Sequence, residues 1–272
     1  MIQQFPMLMG ALRYEFRMQI HRRALWLTFI IITVLIFIQL NQGSGRLDIT
    51  IPAALAHYPL LTVIAGWAFD VNTYLPLCIG ALLADRLPRD RRTKVDELFT
   101  TMPATLNTRL IGKYLGSMLA TLIPMFLVYA GGIAYILYLT HNIIVLPLAL
   151  EVFAVIALPG VLFISAFSIA CPVIIWVPLY QFLFICYWLW GTLWFHKELF
   201  NISRSILSPI GLYIAYGFYE LGSLNDPKSP HGDPGIHSTP LLAVESTLLL
   251  IGIAILVMFV LERYIKWQQA HR

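Results

Sequence analysis

Two features of the sequence carry residue types that could do chemistry. The first is Asp70, a carboxylate inside the apolar run LTVIAGWAFDVNTYLPLCIG. The second is a block of mixed charge from Asp85 to Glu97, in which nine of thirteen residues are charged although only 12% of the whole chain is. Long apolar runs lie on both sides of this block, so the role of either feature depends on the elements that position it.

Asp70 lies far from either end of its apolar run. An ionisable side chain inside a membrane span is costly, and by default it is a candidate for a proton relay or a substrate path. The structural alternatives are a hydrogen bond to a neighbour such as Asn72 or Thr73, or a position near the outer interface. We favour a structural role because one acidic residue does not make a relay, and we keep Asp70 as the intramembrane polar candidate.

Other residues of the chain do not form a catalytic or metal-binding pattern. The histidines scatter over different loops without the HExxH spacing of a zinc site, and the cysteines fall inside apolar runs. The pair Gly112-Lys113 lacks the earlier glycine of a phosphate-binding loop, and Tyr114 stands where that loop has Ser or Thr. We therefore expect a chain that is not an enzyme, binds no metal and has no cofactor of its own.

Residues 93–102, which begin within the charged block, have the pattern of a short amphipathic helix. Thr93 and Asp96 have the spacing of a capping box, and acidic residues favour the N-terminus of a helix. Pro103 ends the pattern. A loop kept merely soluble would not need an apolar face, so we interpret this one as a helix that docks in a groove of a partner. The alternative is a solvated loop with a helix resting on the membrane. The apolar face consists of Val95, Leu98, Phe99 and Met102.

The composition predicts an all-α integral membrane protein. Of the 272 residues 59% are hydrophobic, and the mean hydropathy is +0.76, whereas soluble domains are about 45–50% apolar. Several runs reach the roughly 20 residues that span a bilayer, and the backbone of a span must satisfy its own hydrogen bonds. We expect one domain, 1–272, with six transmembrane helices. They cover about 24–40, 60–83, 110–139 and 148–170, then a fifth that ends near 195 and a sixth at 241–261.

The basic residues set the orientation. With the N-terminus inside, 14 of the 18 Lys and Arg residues fall on the cytoplasmic side, as the positive-inside rule requires. Both termini are then cytoplasmic, residues 85–109 form a cytoplasmic loop and residues 196–240 form an external one. The net charge of +4 is explained by this topology, and we expect no nucleic-acid partner.

Two further segments have helical patterns of their own. Residues 5–23 are amphipathic, with Leu8, Leu12, Phe16 and Ile20 on one face and polar residues, including Glu15 and Gln19, on the others. Such a helix is expected to lie in the membrane interface. The first part of the external loop is rich in aromatic residues and interrupted by Pro and Gly, which favours a re-entrant helical hairpin between the fifth and sixth spans.

Within about 85–116, DELFTTMP precedes a polar stretch and RLIGKYLGSMLA opens a span. In this motif the chain resembles the ABC-2 type permeases of ATP-binding cassette exporters. In that family the second and third spans are joined by a cytoplasmic loop with a coupling helix that ends near a proline, and a Gly-Lys pair follows at the start of the third span. The N-terminal elbow helix, six spans, external hairpin and cytoplasmic termini also match. The matching positions are Glu97, Leu98, Pro103, Arg109, Gly112 and Lys113.

The resemblance implies a transport subunit of the plasma (inner) membrane. Two permeases, identical or paralogous, would form the translocation pathway as a dimer and pair with separate ATPase subunits, which bind ATP and Mg²⁺. Closure of the ATPases would push on the coupling segment, whose contact residues would be Val95, Glu97, Leu98, Phe99, Met102 and Pro103. The loop departs from the family in being unusually rich in arginine before this segment. The alternatives are a proton-coupled secondary transporter that uses Asp70 and a non-transporting membrane anchor for an ATPase.

Overall fold

The computed structural model describes residues 4–41, 51–92, 105–193, 205–221 and 238–271. Within these ranges the chain is helical and contains no β-strand, so the predicted all-α class is confirmed. The first six helices are α1 (Gln4–Ile20), α2 (Arg23–Asn41), α3 (Ile51–His57), α4 (Leu60–Tyr74), α5 (Pro76–Leu83) and α6 (Arg86–Arg92). The others are α7 (Leu106–Thr140), α8 (Val145–Ala170), α9 (Val177–Trp188), α10 (Leu212–Tyr219) and α11 (Pro240–Ala270).

Four helical stretches in the described ranges are long and apolar enough to cross a membrane: Leu60–Arg89, Leu106–Thr140, Val145–Val173 and Pro240–Ala270. They coincide with the second, third, fourth and sixth predicted spans, and the first of them joins α4, α5 and most of α6. The chain is therefore membrane-embedded by the length and composition of its helices.

The other two predicted spans are less simple. Helices α1 and α2 form a pair bent by 59°, which adds a fifth candidate if the pair counts as one span. The predicted fifth span corresponds to α9, a shorter apolar helix that falls below the length required of a candidate. It follows a 3-10 turn at Cys171–Val173, where Pro172 and Pro178 in ACPVIIWVP predict a break in the apolar run. The structure thus supports four or five candidate spans, and the count of six stays a prediction.

Capping side chains set the ends of the two longest helices. The Thr105 hydroxyl accepts from the Thr108 N–H at 3.4 Å at the start of α7, and α7 ends at His141 in the left-handed conformation with φ of 50°. At the start of α11 the Thr239 hydroxyl accepts a hydrogen bond from the Leu242 N–H at 3.4 Å. Pro240 is the first residue of this helix, a position whose backbone N–H has no partner within the helix, so its absence costs nothing. Both helices are longer than the apolar runs that predicted them, α7 mainly at its start and α11 mainly at its end.

Helix α8 lies at the centre of the bundle, where it contacts α4, α5, α7 and α11. Buried aromatic side chains join the surrounding helices through their polar atoms. The Trp67 indole N–H donates to the Tyr129 carbonyl at 2.9 Å, and the Tyr129 hydroxyl donates to the Ala149 carbonyl at 2.9 Å. The Trp188 indole donates to the Thr73 carbonyl at 2.9 Å. Each of these three aromatic donors therefore has an acceptor on a neighbouring helix, as an apolar interior requires.

The described part of the predicted external loop packs into the bundle. A Cβ atom on Gly160 would lie 1.9 Å from the Pro209 carbonyl oxygen, so only glycine permits α8 to approach this segment. Gly211 has φ of +74°, which glycine adopts without strain, and it begins the buried helix α10. Because residues 194–204 and 222–237 lie outside the described ranges, the re-entrant hairpin stays a prediction.

Candidate functional site at the charged end of the bundle

The predicted coupling residues fall in the segment 93–104, which lies outside the described residues. Their roles therefore stay predictions. Both flanks of the segment are described: α6 ends at Arg92 and α7 begins at Leu106. The residues concerned are Val95, Glu97, Leu98, Phe99, Met102 and Pro103.

The two flanks converge on one carboxylate from α1. Lys113 Nζ of α7 lies 3.5 Å from Glu15 Oε1, and Arg86 Nη1 of α6 lies 4.0 Å from Glu15 Oε2. All three side chains are buried, with 5% of Glu15, 2% of Arg86 and 9% of Lys113 exposed. We call Glu15, Arg86 and Lys113 the ionic cluster. It joins the N-terminal helix to both ends of the charged loop.

The ionic cluster holds two cations against one carboxylate. Buried charges are tolerated when they are paired, and removing one partner leaves the other desolvated without compensation. Among the described residues, no hydrogen-bond partner faces Nε or Nη2 of Arg86. A second pair lies beside the cluster, with Arg22 Nη2 3.7 Å from Asp85 Oδ2. This pair is partly exposed and contributes little to stability.

Close packing of α1 on α7 brings Glu15 to the cluster. A Cβ atom on Gly116 would lie 2.6 Å from the Leu12 carbonyl oxygen and 2.9 Å from Glu15 Cβ, and one on Gly112 would lie 2.8 Å from Ala11 Cβ. Side chains at these two positions would push the helices apart. The spacing of Gly112, Gly116 and Ala120 in the sequence predicts a small-residue ridge that favours close helix packing. The structure shows α1 as the helix that packs on the two glycines.

The buried face of α1 differs from the one that the sequence predicted. Glu15 and Gln19 are buried, whereas Leu12, Phe16 and Ile20 are only half-buried. Assigning both polar residues to the outer faces was wrong, because the helix packs on a polar region of α6 and α7 as well as on apolar surface. The spacing of Leu12, Glu15 and Gln19 along one helix face was the signal that could have revealed it.

The structure places Asp70 in α4, away from the ionic cluster. It lies sixteen residues before Arg86 on the same candidate span, which corresponds to about 24 Å of helix. The side chain is half-buried. Two of its neighbours bond to main-chain carbonyls: the Thr73 hydroxyl donates to the Phe69 carbonyl at 2.8 Å, and Asn72 Nδ2 lies 3.4 Å from the Ile156 carbonyl oxygen. Asp70 and Arg86, near the start of the charged block, therefore lie at separate levels of the bundle.

The chemistry of the ionic cluster suits a structural role, in which it holds α1, α6 and α7 together. It consists of one carboxylate, one guanidinium and one ammonium group, each on a different helix. In the described ranges, no three His, Cys, Asp or Glu side chains converge in the manner that a metal ion requires. A displacement of either flank of segment 93–104 has to carry α1 with it or separate buried charges, and the second is costly.

Comparison with known proteins gave no match: no protein-family model matches the chain, and no curated protein is significantly similar to it.

Proposed function

We propose that this chain is the transmembrane permease subunit of an ATP-binding cassette exporter of the ABC-2 type. It forms the translocation pathway as a dimer with a second copy or a paralogous permease, in the plasma (inner) membrane. The energy comes from separate ATPase subunits, which bind ATP and Mg²⁺ and dock on the cytoplasmic loop 85–109.

The ionic cluster is the observation that carries this proposal. A transporter driven by an external ATPase needs a rigid path from its docking loop to its spans. Arg86 precedes the predicted coupling segment, Lys113 follows it, and both lie against Glu15 of α1. Lys113 also belongs to the Gly-Lys pair on which the family resemblance rests. A push on the loop would thus reach α1, α4–α6 and α7 together.

The proposal includes a topology of six spans with both termini in the cytoplasm. Helix α1 is the elbow helix in the interface, and the bend after it separates it from α2, which is the first span. Helix α2 has nineteen residues, or about 28 Å of helix, close to the ~30 Å of a hydrocarbon core. Helix α9 and the π-helical segment Leu189–Leu193 that follows it form the fifth span, and α10 belongs to the external hairpin.

The test is whether an ATPase depends on the apolar face of the coupling segment. We expect the wild-type protein, purified in a mild detergent, to retain an ATPase with a Walker A motif, identified by mass spectrometry. The double variant Leu98→Asp/Phe99→Asp should lose it, because two carboxylates replace the apolar contact.

The matched control is Thr100→Asp/Thr101→Asp, which adds the same two charges to the neighbouring positions off the apolar face. It should insert in the membrane to the same level and keep the ATPase. Retention of the ATPase by the Leu98/Phe99 variant would overturn the assigned contact, and absence of any ATPase from the wild-type preparation would overturn the proposed function.

A further inference from the structure

A groove runs between α7 and α11 at the end of the bundle where α7 begins and α11 ends. Its volume is about 440 Å³ and its lining is almost entirely apolar. Leu162 of α8 closes the groove from behind. The walls include Leu110, Ile111 and Tyr114 from α7 and Ala254, Ile255 and Phe259 from α11.

The groove has the depth of one membrane leaflet. Its lining extends from Asn107 to Leu115 on α7 and from Ile251 to Glu262 on α11. These stretches correspond to about 12 Å and about 16 Å of helix. One leaflet contributes half of the ~30 Å hydrocarbon core, so the groove is about as long as one leaflet is deep.

The mouth of the groove is polar and carries both signs of charge. A second cavity of about 550 Å³ adjoins the groove, shares Asn107 and Ile111 with it, and is lined by Lys266. Glu262 lines the groove, pairs with Lys266 and lies beside the Asn107 side chain. A headgroup with one negative and one positive group complements this pair better than a headgroup with a net charge.

The walls of the groove suit a hydrocarbon chain better than another helix. The polar atom of Tyr114 is already satisfied, because its hydroxyl donates to the Leu162 carbonyl at 2.9 Å. Helix–helix contacts in membranes favour small residues, but the exposed walls are bulky: Ile111 is 44% exposed, Ile255 65% and Phe259 49%. A flexible acyl chain can follow such a surface, whereas a second helix could not approach it closely.

We propose that this groove binds a zwitterionic aminophospholipid from the leaflet on that side of the membrane. One acyl chain lies between α7 and α11, the phosphate lies at Lys266 and the ammonium group lies at Glu262. The proposal rests on the membrane-spanning helices and is independent of the proposed ATPase partner.

The test is photo-cross-linking of the full-length protein in liposomes with a phosphatidylethanolamine that carries a diazirine in its acyl chain. We expect mass spectrometry to find the adducts on peptides from 106–115 and 251–262. Ile255→Trp should fill the groove and abolish these adducts. The matched control is Leu256→Trp on the same helix, since Leu256 is 58% exposed and does not line the groove; its adducts should equal those of the wild type.

Competition with unlabelled lipids tests the headgroup. Phosphatidylethanolamine should reduce the adducts more strongly than phosphatidylglycerol with the same chains, and Lys266→Gln should remove this preference. Adducts spread evenly over all spans, or unchanged by Ile255→Trp, would overturn the site. Equal competition by the two lipids would overturn the assignment of the headgroup.

Discussion

Glu15 is the one carboxylate of the ionic cluster and faces two buried cations. Its loss and the loss of one cation therefore have different consequences. Without Glu15, Arg86 and Lys113 face each other in a desolvated site. Without Lys113, Glu15 and Arg86 remain as a balanced pair. This asymmetry follows from the presence of one carboxylate and two cations. It matters because the cations are only 2% and 9% exposed, whereas among surface charges the difference would be small.

We predict that Glu15→Gln lowers the free energy of unfolding in detergent by about 3–5 kcal/mol, because it leaves buried charge uncompensated. Lys113→Met should lower the free energy of unfolding clearly less. Both losses appear as a lower thermal unfolding midpoint. The control is Glu245→Gln, an exposed carboxylate of α11, which should leave the midpoint unchanged. The measurement is tryptophan fluorescence against temperature. Equal losses for Glu15→Gln and Lys113→Met would contradict the described charge balance.

Sequence patterns identified part of this site and misplaced the rest. The spacing of Gly112 and Gly116 predicted a close helix contact, and the structure confirms it against α1. The sequence analysis placed Glu15 on a polar face of its helix and counted Arg86 only among the cytoplasmic basic residues. Periodicity within one helix does not show which distant residues that helix contacts. Their partners lie about 70 to 100 positions apart in the chain, and only the tertiary fold brings them together.

At the scale of helices, the contact between α1 and α7 determines whether the N-terminal helix stays with the bundle. Gly116 faces the Leu12 backbone, which cannot move away as a flexible side chain could. Gly131 lies on the same helix, and a Cβ atom there would meet no other helix of the described residues within 4 Å. The two glycines thus separate the effect of packing from the effect of glycine on helix stability.

We predict that Gly116→Ala destabilises the protein by about 1–3 kcal/mol, the range seen when a packed contact is overfilled. Gly131→Ala should be neutral or stabilising by up to about 1 kcal/mol, since alanine favours a helix more than glycine does. Thermal unfolding of both variants in the same detergent measures the difference. A Gly116→Ala protein as stable as Gly131→Ala would show that α1 does not pack on α7 as described.

The spans differ in how well the sequence predicts them. The breaks near Pro172 and Pro178 correctly separate α8 from α9, because proline cannot continue a helix without loss of a hydrogen bond. The short length of α9 was not predicted, whereas the predicted segments 5–23 and 24–40 agree with α1 and α2 to within about three residues. Hydropathy shows where apolar residues lie, but it does not give the angle between two successive helices, such as the 59° between α1 and α2.

At the scale of the whole molecule, the features argued above lie at one end of the bundle. The ionic cluster, both flanks of segment 93–104 and the mouth of the α7–α11 groove all involve the first residues of α7. Composition and hydropathy were enough to predict an all-α membrane protein. They could not predict this convergence, because it depends on how α1, α6 and α11 are arranged around α7.

Native mass spectrometry of the complex purified in a mild detergent tests the central claim most directly. The account predicts an assembly of two permease subunits, each of 30.9 kDa if both are this chain, with two copies of an ATPase that carries a Walker A motif. Addition of ATP and Mg²⁺ should give nucleotide bound to the ATPase copies alone. An assembly that contains this chain without any nucleotide-binding partner, in preparations that retain bound lipid, would contradict the account.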